Sequence, residues 1–541
     1  MSETFDVFST KFANDIYLQK YSLDRQEKWS DTARRVVVSV CGQLLDKEDQ
    51  EEIYKLILDR KFIPGGRYLY SSGRSWHQVN NCFLFRAEDS SEGWSDLMGK
   101  ATAALMSGGG IGVDYSNLRE EGAILKRKGG TSTGPLAAMA MVNESGRYIM
   151  QGGQRRSAIW AGLNWKHPDI KKFIHCKDYS DDLKLIKTKD FNFPAPMELT
   201  NISVIYDTEF FIAIEDRKHP LHKLAKDIWN INCRQAFSTA EPGMSFNFRK
   251  DNESLRNACT EVVSEDDSDK CNLGTIWINR ISNHAELAHV TKYATKFLLC
   301  GGIYSDVPTE HIRDIGTRNN RIGLGLGGMH EWIMQRGSEY EVTPELHKWL
   351  SVYEQESDSA AFIGARVLGV SVPKGVRAIA PTGTIGILSE TTTGIEPLFC
   401  KAYKRRYLKG KDWVHQYVVD GSVKRLMEQG IKLEHIKDSY DLSFKQRVKF
   451  QADVQNYVDM AISSTCNLPS WGSDINNEES LKKNSDMLLS YSKRLRGFTC
   501  YPDGCRGGQP LTRVTLEEAL SKEGQVFEET ETSCLNGVCG I

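Results

Sequence analysis

The chain has 541 residues, of which 40% are hydrophobic and 26% are charged, and its formal net charge is −2. This composition is typical of a soluble globular protein with one large domain or two to three smaller ones. The near-neutral charge excludes the strongly basic surface that is typical of nucleic-acid-binding proteins. The basic cluster at 401–411 indicates a solvated or partner-facing surface. No apolar run reaches the ~18 residues of a membrane span, and the acidic N-terminus is unlike a signal peptide, so we expect no membrane association and a cytoplasmic protein.

The first region of the chain, residues 1–77, is predicted to be helical. Apolar residues recur at helical spacing over 36–45 and 53–58. The turn-forming sequence Pro64-Gly65-Gly66 follows them and ends the helical pattern.

The second and third regions differ in the pattern of their apolar residues. Residues 78–505 alternate short apolar runs, such as 201–205, 322–326 and 376–380, with longer amphipathic stretches. This alternation predicts an α/β domain with buried and mainly parallel strands. Residues 506–541 are thinner in apolar residues, which predicts a flexible C-terminal tail.

Five residues suggest sulfur redox chemistry on a bound substrate. Asn257, Cys259 and Glu261 stand at alternate positions, so an extended chain would point a carboxamide, a thiol and a carboxylate the same way. Cys271 follows twelve residues after Cys259, and Cys82 lies far upstream. Thirteen cysteines in a protein without secretion signals are better explained as buried, catalytic or metal-binding residues than as a disulfide framework.

Three segments rich in glycine are candidates for ligand contact. The segment 381–386 follows the apolar run 376–380, and a strand that leads through such a turn into a helix presents N–H groups and hydroxyls to an anion. The segment 107–112 is either a tight turn or a place where the backbone approaches a ligand. The segment 151–156 is either a solvated loop or a mobile segment that contacts a nucleobase or phosphate.

The C-terminal cysteines have two interpretations. Cys534 and Cys539 form a dithiol that exchanges with a buried disulfide, or they join Cys500 and Cys505 in a zinc site. The spacing within each pair is looser than that of the usual zinc-binding pair, so we expect no metal site.

Together these segments resemble the catalytic subunit of ribonucleotide reductase. The resemblance covers roughly residues 60 to 510 and rests on seven motifs in the same order: Asn81-Cys82-Phe83-Leu84, 108–112, 151–156, 200–204, 257–261, 271–274 and 381–386. It implies a ten-stranded α/β barrel of two parallel five-stranded halves with a central finger loop, and an N-terminal helical region beside it. A catalytically inactive nucleotide-binding relative would lose the thiols, and all of them are present here.

The resemblance also implies the roles of the clustered residues. Cys259 would be a transient thiyl radical that takes the ribose 3′-hydrogen, with Glu261 as the general base for the 3′-hydroxyl and Asn257 holding a substrate hydroxyl. Cys82 and Cys271 would supply two electrons at the 2′-carbon and end as a disulfide.

Substrate binding and re-reduction follow from the same resemblance. Cys534 and Cys539 would reduce the active-site disulfide and pass the oxidation to thioredoxin or glutaredoxin. The substrate is a ribonucleoside di- or triphosphate, the two being left open. The residues expected to bind it are Asn81, Gly109, Gly110, Pro381, Thr382, Gly383, Thr384, Ile385 and Gly386.

An allosteric site is implied as well. Asp89 and Ser90 match positions that hold an effector, a deoxynucleotide or ATP, at the interface of a homodimer. Arg119 lies on the neighbouring loop, and Gln154 and Arg155 would relay the identity of the effector to the substrate base.

The radical source is inferred from one difference between this sequence and many members of the family. Family members that depend on a separate ferritin-like radical subunit usually have two consecutive tyrosines near the end of the barrel. Here Tyr501 is followed by Pro502, and no Tyr-Tyr pair occurs in the chain. The sequence therefore resembles the adenosylcobalamin-dependent class II enzymes, with a separate radical subunit as the alternative and with Cys500 and Cys505 unexplained.

Overall fold

The computed structural model describes residues 7–126, 129–151, 155–190, 193–409, 412–505, 511–522 and 525–528. Its helices are α1 (Lys11–Lys20), α2 (Trp29–Cys41), α3 (Lys47–Leu58), α4 (Gly66–Ser71), α5 (Ser91–Ser107), α6 (Gly134–Tyr148), α7 (Ile170–Ile174), α8 (Asp181–Lys189), α9 (Thr208–Glu215), α10 (His222–Thr239), α11 (His284–Tyr304), α12 (Glu310–Asn319), α13 (Met329–Gln335), α14 (Pro344–Leu368), α15 (Gly383–Ser389), α16 (Gly421–Glu428), α17 (Phe444–Gln455), α18 (Glu478–Ser492) and α19 (Leu516–Ser521). Its strands are β1 (Phe62–Pro64), β2 (Cys82–Arg86), β3 (Gly110–Asp114), β4 (Met150–Gln151), β5 (Arg155–Arg156), β6 (Ile159–Asn164), β7 (Thr200–Tyr206), β8 (Gly243–Phe246), β9 (Leu255–Arg256), β10 (Val263–Ser264), β11 (Asp269–Trp277), β12 (Ile322–Gly327), β13 (Ala402–Lys409), β14 (Asp412–Val419), β15 (Thr465–Leu468), β16 (Gly497–Pro502), β17 (Leu511–Arg513) and β18 (Val526–Glu528).

Five neighbouring strands of the main sheet run parallel to one another. The order is β2, β3, β6, β7 and β8, and each adjacent pair is parallel. These strands are almost wholly buried, because helices cover one face and the interior of the protein covers the other. Burial on both faces is the reason that their sequences are continuous apolar runs, as expected for parallel strands.

A second parallel set completes the main sheet. β11 is parallel to β12, and β15 is parallel to β16. The segment 376–380 lies between them and forms isolated parallel bridges from Arg377 to Leu324 of β12 and from Ile379 to Ile462. The two sets meet in antiparallel pairs, β2 with β11 and β8 with β16. The expected mixed α/β fold with a parallel-rich sheet is confirmed.

A short hairpin, β9–β10, crosses the inner side of the first parallel set. A Cβ at Gly112 of β3 would lie 1.7 Å from the carbonyl oxygen of Arg256, so only glycine allows this crossing. Ala258 O in the hairpin loop accepts from Asn201 Nδ2 of β7 at 3.5 Å. Glu261 O accepts at 2.9 Å from the N–H of Ala461, which precedes the residue that bridges to Ile379 beside the second set. The hairpin loop therefore lies between the two sets.

The N-terminal region is helical over α1–α4, as its periodicity predicts. Its apolar side chains, such as Trp29 and Val36, share one hydrophobic core with Phe297 of α11 and Leu324 of β12. β1 also pairs antiparallel with β11, next to the stretch of β11 that pairs with β2. The helical region is thus packed directly on the strand that carries Cys271.

Part of the region predicted as a flexible tail is folded. β17 and β18 pair with the two strands of the β13–β14 hairpin in the order β17-β13-β14-β18, and Ala519 of α19 is fully buried. The sequence did not predict this, because the strand partners lie about a hundred residues upstream and each tail strand has only three residues. Cys534 and Cys539 lie outside the described residues.

Membrane insertion finds no support in the helices of this structure. Among the residues that are described, no helix combines the length and the apolar character needed to cross a bilayer.

Candidate active site

The loop of the β9–β10 hairpin positions the residues that sequence analysis singled out. It is a turn and not the extended stretch expected from the alternation of Asn257, Cys259 and Glu261. Thr260 adopts the left-handed conformation, with φ 71°, which reverses the chain at the tip. This conformation is uncommon for a β-branched residue, and the packing around the loop must enforce it.

Asn257 links the hairpin loop to strand β2. Its Oδ1 accepts from the N–H of Val262 at 3.0 Å, which closes the loop. Its Nδ2 donates to the sulfur of Cys82 at 2.8 Å. Asn257 was expected to hold a substrate hydroxyl, and the structure shows that its amide already orients a thiol.

Cys82 and Cys271 face each other across the junction of the two strand sets. They are register partners in the antiparallel pair β2–β11, and both are buried in one small apolar cluster. Directly opposed residues in antiparallel strands have Cα atoms ~4.5–5.5 Å apart, which is within the range that a disulfide spans. Both cysteines are free thiols in this structure.

A cavity of about 290 Å³ brings most of the predicted residues together. The side chain of Cys259 is exposed, in contrast to those of Cys82 and Cys271, and the surface it exposes lies in this cavity. The predicted residues that line the cavity are Asn81, Cys82, Gly110, Asn257, Cys259, Glu261, Pro381, Thr382, Gly383, Thr384 and Ile385. Cys271 lies behind this surface, as the strand partner of Cys82.

The electrostatics of the cavity favour neutral groups. Burial raises the pKa of Glu261 to about 7, although the hydrogen bonds of the loop oppose this shift. Glu261 Oε2 is buried and has no hydrogen-bond partner among the described residues, so it is available to a ligand. The protein atoms packed around Cys259 desolvate its thiol although its outer surface opens into the cavity, and this desolvation and the Glu261 charge raise its pKa. Burial and the Glu261 charge likewise raise the pKa of Cys82, and burial and the Asp269 charge raise the pKa of Cys271. Protonated thiols can donate hydrogen atoms but are poor nucleophiles.

The segment 381–386 forms one wall of the cavity. Thr382 is left-handed, with φ 50°, and caps the short helix α15. The first N–H groups of a helix have no intrahelical acceptor, so the amides that follow Thr382 remain available at the cavity. Two expected substrate residues do not line the cavity: Gly109 packs against the ring of Phe83, and Gly386 lines a second cavity on the other side of α15.

Three of the predicted effector residues, Asp89, Ser90 and Arg119, lie together and do not line the cavity. Arg119 Nε donates to Asp89 Oδ2 at 2.8 Å, and Ser90 caps the N-terminus of α5 by accepting from the N–H of Gly93. Arg155 belongs to the two-residue strand β5, which pairs with β4. Gln154 lies outside the described residues.

Sequence reasoning missed several residues of the cavity wall. Tyr21 and Arg67 come from the N-terminal helical region, and Thr275 comes from β11. Gly65 and Gly66 also line the cavity and were interpreted only as a helix-ending turn. No local pattern marks these positions, because the packing of the helical region onto β11 brings them there.

Cys500 faces away from the hairpin loop. Its Sγ donates to the carbonyl oxygen of Ala236 in α10 at 3.3 Å, and it is buried among the side chains of that helix layer. Tyr501, the next residue on β16, is the strand partner of Asn467 on β15. Within the described ranges no group of three or more Cys, His, Asp or Glu side chains is placed to hold a metal ion. The zinc alternative also requires Cys534 and Cys539, which are not described.

Comparison with known proteins identifies the family. The family model described as "Ribonucleotide reductase, barrel domain" matches residues 80–221, 213–348 and 374–501. The chain belongs to the ribonucleotide reductase family. The resemblance found in the motifs is thereby confirmed, and the chain is an oxidoreductase of this family.

Curated members of the ribonucleotide reductase family extend the match. The chain is 25% identical to a vitamin B12-dependent ribonucleoside-diphosphate reductase of Thermoplasma acidophilum, over 86% of this chain and 67% of that protein. It is 25% identical to a putative adenosylcobalamin-dependent ribonucleoside-triphosphate reductase of Mycobacterium phage D29, over 95% of this chain and 96% of that protein. A ribonucleoside-diphosphate reductase large subunit of Caenorhabditis elegans matches with 25% identity over 61% of this chain and 47% of that protein.

Proposed function

We propose that the chain reduces ribonucleoside di- or triphosphates to deoxyribonucleotides by thiyl-radical chemistry in the cavity of the hairpin loop. The observation that carries the proposal is the convergence of an exposed thiol, two buried thiols opposed across neighbouring strands, and a carboxylate with one oxygen that has no hydrogen-bond partner among the described residues. Cys259 opens into the cavity, Asn257 holds Cys82 opposite Cys271, and Glu261 presents a free oxygen.

Each of these residues has a defined part in the proposed reaction. The Cys259 thiyl takes the 3′-hydrogen of the ribose, and Glu261 accepts the proton of the 3′-hydroxyl. The 2′-hydroxyl leaves as water after protonation, and the Cys82 and Cys271 thiols supply two electrons and two protons as they become a disulfide. Cys259 then returns its hydrogen atom to the 3′-carbon. The ribose thus gains the two electrons that the thiol pair loses.

The chain fits adenosylcobalamin as the radical source. When bound, this cofactor supplies an organic radical that can oxidise a thiol. Cys259 is exposed in the cavity, and the small side chains of Ala158 and Ala258 line the same cavity, which leaves its sulfur open to an external radical. Pro502 follows Tyr501, so no tyrosine pair is available as a relay. The T. acidophilum and phage relatives are both named as cobalamin-dependent. A separate metal-containing radical subunit is the alternative.

We propose further that the main sheet closes into the ten-stranded barrel of this family. The segment 376–380 has hydrogen bonds on both sides, since the N–H of Ala378 donates to Leu324 O at 3.0 Å and the N–H of Ile379 donates to Ala461 O at 3.2 Å. This segment, between β12 and β15, would complete a second parallel set with β11, β12, β15 and β16. It would be the tenth strand of a barrel that does not include β1. The β9–β10 hairpin would then be the finger loop in the barrel interior.

The remaining assignments also follow from the family. The amides after Thr382 bind the substrate phosphates, Asp89, Ser90, Arg119, Gln154 and Arg155 form the effector site of a homodimer, and Tyr501 neighbours the radical site. Cys534 and Cys539 reduce the Cys82–Cys271 disulfide and are themselves reduced by thioredoxin or glutaredoxin. The domains are an N-terminal helical region at 1–77, a catalytic barrel at 78–505 and a redox tail from 506 onward.

The test is an assay for deoxynucleotide formation by the purified chain with dithiothreitol, an effector nucleotide, and adenosylcobalamin either present or absent. Turnover that requires the cobalamin supports the proposal. Turnover only after addition of a metal-containing radical subunit favours the alternative. Cys534→Ser serves as a second probe: activity with thioredoxin should be lost and activity with dithiothreitol kept, whereas equal loss with both reductants would contradict the redox role of the tail.

A further inference from the structure

The C-terminal end of α15 carries a buried carboxylate that the proposed reaction does not use. Glu390 follows the last residue of the helix, and its side chain is only 7% exposed. Its Oε1 accepts from the N–H of Ser9 at 2.9 Å, from the hydroxyl of Ser9 at 2.7 Å, and from the N–H of Thr10 at 3.0 Å. An N-terminal segment is thus attached to the helix that forms the cavity wall, across more than 370 residues of sequence.

Two arginines hold the same end of α15. Arg60 Nη1 donates to Glu390 Oε2 and to the carbonyl oxygen of Leu388, both at 2.9 Å. Arg280 Nη2 donates to the carbonyl oxygen of Ser389 at 2.7 Å. The last carbonyls of a helix lack intrahelical donors, and cations placed there also interact favourably with the helix dipole.

Glu390 is ionised in this arrangement. Burial alone would raise its pKa, but the hydrogen bonds from Arg60 and Ser9 outweigh that effect and hold the pKa below its usual value. Glu390 itself is left-handed, with φ 55°, which turns the chain out of α15 and aims the carboxylate at the N-terminal segment. A charged group with this many donors fixes its surroundings more firmly than a neutral one.

The opposite end of α15 faces the catalytic cavity. α15 has only seven residues, Gly383–Ser389, so a shift at its C-terminal end moves the amides at its N-terminal end as one body. Gly383 lines both the catalytic cavity and the second cavity, which contains Glu390 and Thr10 in its wall. Helix α1 begins after Thr10 and ends next to Tyr21, which also lines the catalytic cavity.

We propose that Glu390 is a positioning residue for substrate binding: it ties α15 to Ser9, Thr10 and Arg60 and so fixes the amides after Thr382 where they receive the substrate phosphates. This inference rests on the proposed function, since it assumes that a nucleotide phosphate binds at that end of the helix. Glu390 does not touch the ribose or the thiols, so it acts on affinity and leaves the chemical step intact.

The test compares Glu390→Gln with the wild-type chain in turnover and in direct binding. Equilibrium dialysis would measure a ribonucleoside diphosphate, a ribonucleoside triphosphate and the corresponding unphosphorylated ribonucleoside. We expect KM and the nucleotide dissociation constants to rise about tenfold, because a small displacement of binding groups has large effects. The value of kcat and the dissociation constant of the nucleoside should stay within about twofold.

The controls separate a positioning role from a general loss of structure. Glu51→Gln removes an exposed carboxylate that pairs with Arg34 in the same helical region, and it should change none of these values. Ser9→Ala removes one donor to Glu390 and should produce a smaller rise in KM, also without loss of kcat. If Glu390→Gln does not fold, Ser9→Ala alone decides the question.

The outcomes also distinguish this inference from the proposed function. An unchanged nucleotide affinity in both variants would overturn the role of Glu390, as would an equal loss of nucleotide and nucleoside affinity. A wild-type chain that binds no ribonucleotide would instead overturn the proposed function.

Discussion

Among the described residues, two pairs of cysteines face each other across strands of the main sheet, and one of the pairs lies at the candidate catalytic cavity. Cys82 and Cys271 are partners in the antiparallel pair β2–β11, and Cys466 and Cys500 are partners in the parallel pair β15–β16. All four are buried free thiols. The first pair packs under the hairpin loop, whereas the second packs into the helix layer outside the sheet.

The difference between the pairs lies in their partners. The sulfur of Cys82 accepts from the Asn257 amide, which the hairpin loop holds in place. The sulfur of Cys500 donates to a helix carbonyl and has apolar neighbours. The two pairs are therefore alike in their opposition across strands and differ in their position: in the proposed function only the pair beside the cavity can reduce a substrate.

The largest expected effect is from a change at Cys259, the proposed radical residue of the cavity. Cys259→Ser should abolish turnover, because a hydroxyl cannot replace the thiol as the hydrogen-atom carrier. Nucleotide binding should be unchanged, since serine is close to cysteine in size and preserves the shape of the cavity wall. Deoxynucleotide formation and equilibrium dialysis would measure the two properties, and activity that persists with both thioredoxin and dithiothreitol would refute the assignment.

The two cysteine pairs can be compared directly. Cys271→Ser should abolish deoxynucleotide formation even in a single turnover, because each reduction consumes both thiols of the Cys82–Cys271 pair. Cys466→Ser, the matched change in the other pair, should leave turnover within about twofold. Mass spectrometry of the wild-type chain after a single turnover should detect the Cys82–Cys271 disulfide, and a Cys466–Cys500 disulfide under the same conditions would contradict the distinction between the pairs.

Both turnover and stability should depend on pH through Glu261. Since the pKa of Glu261 is raised to about 7 and a general base must be ionised, kcat/KM should fall about tenfold per pH unit below 7. Between pH 4.5 and 7 the folded chain retains a proton that the unfolded chain releases, so stability decreases as the pH rises through this window.

The variant Glu261→Gln tests the same shift through stability. It should be inactive, and at pH 8 it should be more stable than the wild type by about 3 kcal/mol, with the advantage disappearing near pH 4. Denaturant unfolding at both pH values would measure this. A stability difference that is equal at the two pH values would show that Glu261 titrates normally.

The smallest effect is expected from a change at Cys500, in the pair on β15 and β16. Cys500→Ala removes a buried sulfur from the packing against α10 and should lower the free energy of unfolding by about 1 kcal/mol, with no change in turnover. Denaturant unfolding and the turnover assay would test both statements, and a loss of activity greater than the loss of folded protein would assign Cys500 a functional role.

The sequence was most informative where chemistry is concentrated in short segments. Asn257, Cys259 and Glu261 were predicted as one group, and the cavity contains all three even though the segment is a turn and not extended. Strands β7 and β12 were predicted from apolar runs because burial on both faces leaves a continuous signal. The segment 376–380 has the same signal, but its pairing is limited to isolated bridges.

Contacts between distant segments could not be predicted. Tyr21 and Arg67 reach the cavity only because the helical region packs on β11, and Glu390 meets Ser9 only in the folded chain. The face to which Cys500 points depends on the alternation of β16 against α10, which a single sequence does not define. The folded part of the C-terminal region was missed for the same reason, since its strands pair with a distant hairpin.

The location of Cys82 and Cys271 at an antiparallel junction also has a mechanical consequence. These two residues are on the strands that join one parallel set to the other, and they are widely separated along the chain. A disulfide between them would join the two sets and close a very long loop. By lowering the entropy of the unfolded chain, it would raise the free energy of unfolding by about 5 kcal/mol. Each round of catalysis would thus make the scaffold more resistant to unfolding, and each reduction would remove that resistance.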